Sequence, residues 1–528
     1  MDNNKVYIFD STLRDGAQAK GISFSLSDKL HMLKLLDSLG IDYIEAGNPA
    51  SNPKEKMFFE KAKELKLQYA KLTAFGSTRR KNSCMSDDPG IQALLSAETD
   101  VVAIFGKTWD MHVTHILQTT LEENLNMVRE TISFFKGKGK EVVFDAEHFF
   151  DGYKANPSYA LSVLKAAEEG GADCLVLCDT NGGTLTHEVV DIMEDVNLNT
   201  KTMLGIHAHN DSETAVSNSL SAVLLGARHV QGTFIGFGER CGNTRLTSVI
   251  PNLQLKMGYQ CIPEEKVALL TSAAREAAEI SNAALEEKLP YVGHDAFAHK
   301  GGMHIDGVRK VQESFEHIKP ELVGNKRSFL ISEVAGRSAL LLKLQHRFPE
   351  LTQDKDALQK ITNKIKELEQ QGYSFEGAES SFELIVLKEL GQHKPAFKLE
   401  HFKVIDEHTE NKSQFASYAV VKVNVDGVMR MAAAEGNGPV NALDKALREA
   451  LVEFYPELKQ IVLQDYKVRV LDTKMATAAV VRVVIESGDG EHEWTTLGVS
   501  GDVIEASLIA LIDSIEYKLW EVKSKKER

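Results

Sequence analysis

Eight short β-rich runs alternate with amphipathic stretches of helical period, and this alternation constrains the fold more than any other feature. The runs are Val6–Asp10, Asp42–Gly47, Lys71–Phe75, Val101–Gly106, Glu141–Ala146, Cys174–Asp179, Met203–His207 and His229–Phe234. Helical segments fall between them, among them Asp28–Leu39, Lys54–Leu65, Leu121–Lys136 and Thr214–Leu225. Strands joined through crossover helices run parallel. Eight of them at even spacing predict a closed (β/α)₈ barrel. An open doubly wound sheet is the competitor, but no Gly-rich dinucleotide fingerprint follows the first run.

With 528 residues the chain exceeds one hydrophobic core. The expected fold class is α/β: a barrel over 1–288, a linker with a mainly helical subdomain over 289–392, and an α+β domain over 393–528. A helical stretch is expected over Pro263–Glu287, and a charged, solvated connector helix over Asp354–Gln370. The last part repeats itself. At an offset of 60, Val421, Val423 and Val425 fall on Val481, Val483 and Ile485, and Gly438 falls on Gly498. Each copy reads as strand, hairpin, strand, Gly-rich turn, helix, with Pro439 at a helix start. Such a module is either a duplicated structural unit or one whose helix N-termini hold an anion between the copies. Gly436, Gly438, Gly498 and Gly501 are the residues expected to let backbone approach that ligand.

The net charge of −15 argues against nucleic acid or an anionic membrane as a main partner. The five cysteines form no C-x-x-C pair, as expected of reduced thiols in the cytoplasm. No apolar run reaches the ~20 residues of a membrane span, and the start, Asp2-Asn3-Asn4-Lys5, has no apolar signal core.

Barrel sites form where strands end and the following loops begin. Strand seven ends in His207-Ala208-His209, and residues i and i+2 share one face of a strand. Two imidazoles and a carboxylate with open positions suit a catalytic divalent cation. Asp15 is the expected carboxylate and Asn243 a fourth protein ligand; without thiolate, Mn²⁺, Mg²⁺, Zn²⁺ and Co²⁺ all remain open. Arg14 is placed to clamp a carboxylate or support an oxyanion, or else to pair with an acid such as Glu45. Glu147 reads as a general base or as an ion-pair partner of Arg14. Thr180 offers a hydroxyl to a substrate carboxylate, or caps the next helix.

These residues carry a resemblance. Phe9-Asp-Ser-Thr-Leu-Arg-Asp-Gly16, His207-Ala-His-Asn-Asp211 and Gly238-Glu-Arg-Cys-Gly-Asn243 resemble the barrel signatures of the DRE-TIM metallolyases, the group of 2-isopropylmalate, homocitrate and citramalate synthases. The match extends to Gly301-Gly-Met-His304, and the repeat resembles the regulatory domain of 2-isopropylmalate synthase. Leu72–Arg80, Ile104–His112, Asp145–Tyr153 and Gly501–Ser507 are most similar to the citramalate synthase branch.

The resemblance implies a Claisen-type condensation of acetyl-CoA with a 2-oxo acid, pyruvate in that branch, leading towards isoleucine. It makes Asp15, His207, His209 and Asn243 the metal site, Arg14 and Thr180 contacts to the oxo acid, and Glu147 and His304 candidates for proton transfer. It also implies a homodimer in which the subdomain covers the partner's barrel, so that His304 acts in trans, and an amino-acid effector, isoleucine. A tyrosine common in the group eleven residues after the subdomain histidine is Phe315 here, so no phenol role carries over. Trp109 is the expected pocket wall that favours a methyl group. The alternatives are the same chemistry on a larger 2-oxo acid, as in 2-isopropylmalate or homocitrate synthase, and a non-catalytic amino-acid sensor.

Overall fold

All eight runs enter one closed parallel barrel, in chain order. Its strands are β1 (Tyr7–Asp10), β2 (Tyr43–Glu45), β3 (Lys71–Ser77), β4 (Val101–Lys107), β5 (Glu141–Glu147), β6 (Cys174–Asp179), β7 (Met203–Ala208) and β8 (His229–Gly232). β1 pairs with both β2 and β8, which closes the ring. The structure is a computed structural model that describes residues 4–329, 348, 354–375, 378–407, 416–471, 479–490 and 492–526.

Strand parity sorts the side chains. Ile8, Val102, Ile104, Val142, Leu175 and Leu177 pack outward under the helices, while Phe9, Val101, Ala103, Val143, Cys174, Val176 and Cys178 fill the barrel interior. The same parity sends Asp145 and Glu147 of β5, and His207 of β7, inward near the ends of their strands. Several helices start at a cap followed by proline, as at Asn52-Pro53, Asp88-Pro89 and Asn156-Pro157, where the cap oxygen takes a backbone N–H that the helix leaves free.

The chain divides into two compact units: residues 1–297 with 317–327, and residues 298–316 with 328–528. The first holds the barrel and, after it, the helix Leu270–Ile280. The second holds the helix Gly302–Lys310, a two-stranded parallel pair of β9 (Ala298–His299) and β10 (Ser328–Phe329), and the helices Lys355–Gln370 and Glu379–Glu389. The charged helix is not merely solvated. Asp354 caps it, and its Leu358, Ile361 and Ile365 are buried in the core of that unit.

The rest of the second unit is two copies of a three-stranded antiparallel sheet followed by a helix. The first comprises β11 (Lys398–Glu407), β12 (Ala416–Val425), β13 (Val428–Gly436) and the helix Pro439–Leu451. The second comprises β14 (Val462–Val470), β15 (Val481–Gly488), β16 (Glu493–Ser500) and the helix Val503–Lys526. Each copy therefore has one more strand, at its start, than the sequence pattern suggests.

The offset between the copies is 64, not 60. Ser417 pairs with Gly436 and Val481 with Ser500, each displaced by 64. The register shift between Leu399 and His401 recurs between Leu463 and Asp465, displaced by the same amount. An offset of 60 would place Val421 on Val481, whose cross-strand partners Ala432 and Ser500 stand 68 apart. Gly436 and Gly498 have a packing reason: a Cβ would lie 2.3 Å from Ala442 N and 2.1 Å from Ala506 O, respectively, in the helices behind them. They admit a helix rather than a ligand. At Gly438 and Gly501 no atom lies within 4 Å of an added Cβ.

Candidate metal centre and active site

The β1 loop, β5, the β6 end and β7 converge on one cavity of about 290 Å³, lined by Arg14, Asp15, Asp145, Glu147, Thr180, His207 and His209, among others. Asp15, His207 and His209 are buried, and their ligand atoms lie within 4.8 Å of one another. Asp15 Oδ2 is 3.5 Å from His207 Nε2 and 3.8 Å from His209 Nε2. Asn243 is buried beside this group, bridged backbone to backbone with His209. Asp15 Oδ1 and Asn243 Oδ1 are buried acceptors without a donor among the described residues. Buried polar atoms are normally satisfied, and two orphaned oxygens beside two imidazoles are what a divalent cation needs. The donor set fits a metal.

Burial holds the His207 imidazole down at about 4 and also lowers that of His209, so both are neutral and carry a lone pair at neutral pH. Burial opposes the charge on Asp15, but Arg14, the two imidazoles and Asn243 outweigh it and bring the carboxyl down to about 2. His207 has a buried side-chain partner behind it. Its Nδ1 lies 2.9 Å from Gln231 Oε1, and Gln231 Nε2 donates to Asp145 Oδ1 at 2.8 Å. Burial, and then Glu45, push Asp145 up to about 8.

Arg14 is locked by three contacts. Its Nε donates to Glu45 Oε2 at 2.6 Å, its Nη1 to Asp15 Oδ2 at 2.9 Å, and its guanidinium sits 3.9 Å from the centroid of Phe75. Pairing with Glu45 is thus realised, and the fork still has donors for an incoming oxygen. Glu147 does not pair with Arg14. Its Oε2 lies 2.5 Å from Lys107 Nζ, because β4 and β5 are neighbours and Lys107 is in register with Glu147. Thr180 is not a helix cap: the next helix starts after Leu185, and Thr180 Oγ1 accepts from His148 N–H at 2.9 Å. Arg240 reaches the Thr180 carbonyl at 2.7 Å and clasps Asp211, which ties the β6, β7 and β8 loops together.

Trp109 is not among the lining residues; it stacks on His112 with ring centroids 5.0 Å apart. The aromatic wall is Phe75 and Phe105, stacked at 5.1 Å. His304 belongs to the second unit, where it is exposed and stacks on Phe315 at 4.3 Å. Sequence reasoning singled out neither Lys107, Asp145 and Gln231 nor Phe75 and Phe105. The Asp-Ala-Glu alternation of β5 was a usable signal for Asp145, since it shares a face with Glu147.

The HMGL-like family profile matches residues 5–275, and the chain belongs to that family. A homocitrate synthase post-HMGL domain-like profile matches residues 291–373, and the LeuA allosteric (dimerisation) domain matches residues 376–519. Among relatives, an (R)-citramalate synthase of Aquifex aeolicus is 55% identical over 98% of both chains. One of Geobacter sulfurreducens is 50% identical over 97% of both. A probable 2-isopropylmalate synthase of Methanopyrus kandleri is 33% identical, over 97% of this chain and 98% of its own. Among the described residues no helix is long and apolar enough to cross a membrane.

Proposed function

We propose that the chain condenses acetyl-CoA with pyruvate and water to give citramalate and CoA. The observation that carries this reading is a cavity combining two neutral imidazoles, Asp15, Arg14 and Glu147 in a chain 55% identical along its length to an (R)-citramalate synthase. Asp15, His207, His209 and Asn243 would hold the divalent cation. When bound, that cation polarises the ketone of a 2-oxo acid and orients its carboxylate.

Around it the chain's own groups have distinct tasks. Arg14, immobilised by Glu45, Asp15 and Phe75, offers its remaining N–H groups to the oxygen that gains negative charge as the new bond forms. The Thr180 hydroxyl, at the cavity wall, meets the oxo-acid carboxylate. Glu147, directly or through water, takes a proton from the acetyl methyl group, with His304 the other group for this work. The methyl carbon bonds to C2 of pyruvate, the C2 oxygen becomes a hydroxyl, and water then cleaves the thioester to release CoA. Phe75 and Phe105 make the aromatic wall of a cavity suited to a small side chain.

The LeuA allosteric (dimerisation) match supports a homodimer; in that dimer His304 would act in the partner's site, and isoleucine would be the effector. The two turns offered to that effector differ. The helix from Val503 is capped by Asp502, whose Oδ1 accepts from Ile504 N at 2.7 Å, whereas Gly438 leaves the helix from Pro439 without a side-chain cap. The first turn is therefore the better host for a carboxylate.

Thiol release from acetyl-CoA, measured with a panel of 2-oxo acids before and after metal removal, tests the proposal. Pyruvate-dependent release that stops on chelation and returns with added divalent metal is expected. A preference for 2-oxoisovalerate, or full turnover by metal-free protein, overturns it.

A further inference from the structure

A histidine binds a metal through a nitrogen that carries no proton, so one of its two neutral tautomers presents the wrong atom. His207 has Nε2 towards Asp15 and Nδ1 towards Gln231. A side-chain amide can meet Nδ1 with either end. With Oε1 there, Nδ1 must carry the proton and Nε2 is free to bind a cation. With the NH₂ there, Nδ1 must accept, Nε2 carries the proton and the site is spoiled. Gln231 alone does not decide between these; the residue at its other end does.

That residue is Asp145, which receives Gln231 Nε2–H at 2.8 Å. Asp145 Oδ1 accepts that N–H, which turns the NH₂ away from His207 and leaves Oε1 facing Nδ1. The chain from Asp145 through Gln231 to His207 crosses the interior from β5 to β8 to β7, with all three residues buried. Solvent cannot substitute for a lost partner there. We propose that Asp145 and Gln231 are positioning residues whose hydrogen-bond direction fixes His207 as the Nδ1–H tautomer and so presents Nε2 to a divalent cation. This rests on reading Asp15, His207 and His209 as a metal site.

Titration calorimetry of Mn²⁺ into the metal-stripped full-length chain tests it. Gln231→Leu is expected to weaken binding about 10–100-fold, the usual cost of losing the group behind a metal-bound histidine. The exchanged pair Asp145→Asn with Gln231→Glu keeps shape and the direction of the bond to His207 while reversing the bond between residues 145 and 231: the new carboxylate accepts from Nδ1–H and from the new amide. It is expected to bind within about threefold of wild type, since the histidine keeps its acceptor. Thermal melting checks that each variant is folded, and the exchanged pair decides the matter if Gln231→Leu is not. Wild-type affinity in folded Gln231→Leu, or an exchanged pair weakened as much as Gln231→Leu, overturns the relay. A wild-type chain that binds no Mn²⁺, Mg²⁺, Zn²⁺ or Co²⁺ overturns the metal reading itself, and the relay with it.

Discussion

Arg14→Lys keeps the charge beside Asp15 and Glu45 and removes the shape. The guanidinium reaches Glu45 through Nε and Asp15 through Nη1 while lying flat on Phe75. An ammonium is a compact point charge that cannot fork between two acids and present further donors in a fixed plane. The neighbouring Glu45 carboxylate is fully buried, so the lysine is drawn to it and away from an incoming substrate. Loss of one preorganised donor to a developing oxyanion costs about 2.7–4 kcal/mol, or 10²–10³ in kcat. The expected outcome is a fall of that size in kcat with a smaller change in the KM for pyruvate, because the lost contact strengthens as charge builds. The assay is thiol release at saturating acetyl-CoA over a pyruvate series, beside melting curves for both proteins. A folded Arg14→Lys enzyme with kcat within about threefold of wild type would refute a charge-stabilising role for the fork.

Glu147→Gln preserves size and removes the base, and should lower kcat by roughly 10²–10⁴ with little change in pyruvate binding; an unchanged kcat moves the proton to His304 or water. His229 is fully buried between Phe9 and Tyr43, and burial holds its imidazole down at about 3. The unfolded chain takes up a proton below its ordinary value of about 6.5 that the folded chain refuses, so stability is full above that pH and falls by about 1.4 kcal/mol per unit below it. His229→Phe should flatten the decline of the urea midpoint between pH 6 and 4, and an unchanged acid slope would count against this. Titration of isoleucine and leucine into the full chain should show isoleucine binding and inhibiting; the absence of both binding and inhibition would leave the repeat as a structural unit.

The barrel is legible in the sequence because a parallel strand must be followed by a crossover, and the crossovers here are long, periodic and capped. His207 and His209 are legible because strand parity alone puts both on one face. The partners are less legible, because they depend on closure. Asp145 and Gln231 are 86 positions apart and meet across the barrel interior. Glu147 reads equally well against Arg14 or any other nearby cation until the register of β4 with β5 puts Lys107 beside it. Trp109 follows β4 and looks like a wall residue. The loop carries it onto His112, and two phenylalanines from β3 and β4 form the wall instead.

The displaced repeat has a related cause. A strand alternates every second residue, so shifts of 60, 62 or 64 all match inward valines with inward valines. A shift of four is also close to one helical turn, so Ala446 falls on a buried alanine either way, Ala506 at 60 or Ala510 at 64. Hydrophobic phase therefore cannot separate the two answers, and the matching of Gly438 with Gly498 was a coincidence of small residues. Hydrogen-bond register separates them, because the bulges and both hairpins must correspond together. At 64, Gly438 aligns with Asp502, and the supposed equivalence of the two glycine turns disappears. One copy caps its helix with its own carboxylate, and in the other the cap residue, Gly438, makes no side-chain hydrogen bond to the helix start. A duplicated unit thereby has one helix start capped by a carboxylate and one that begins at a glycine, without any change in fold between the copies.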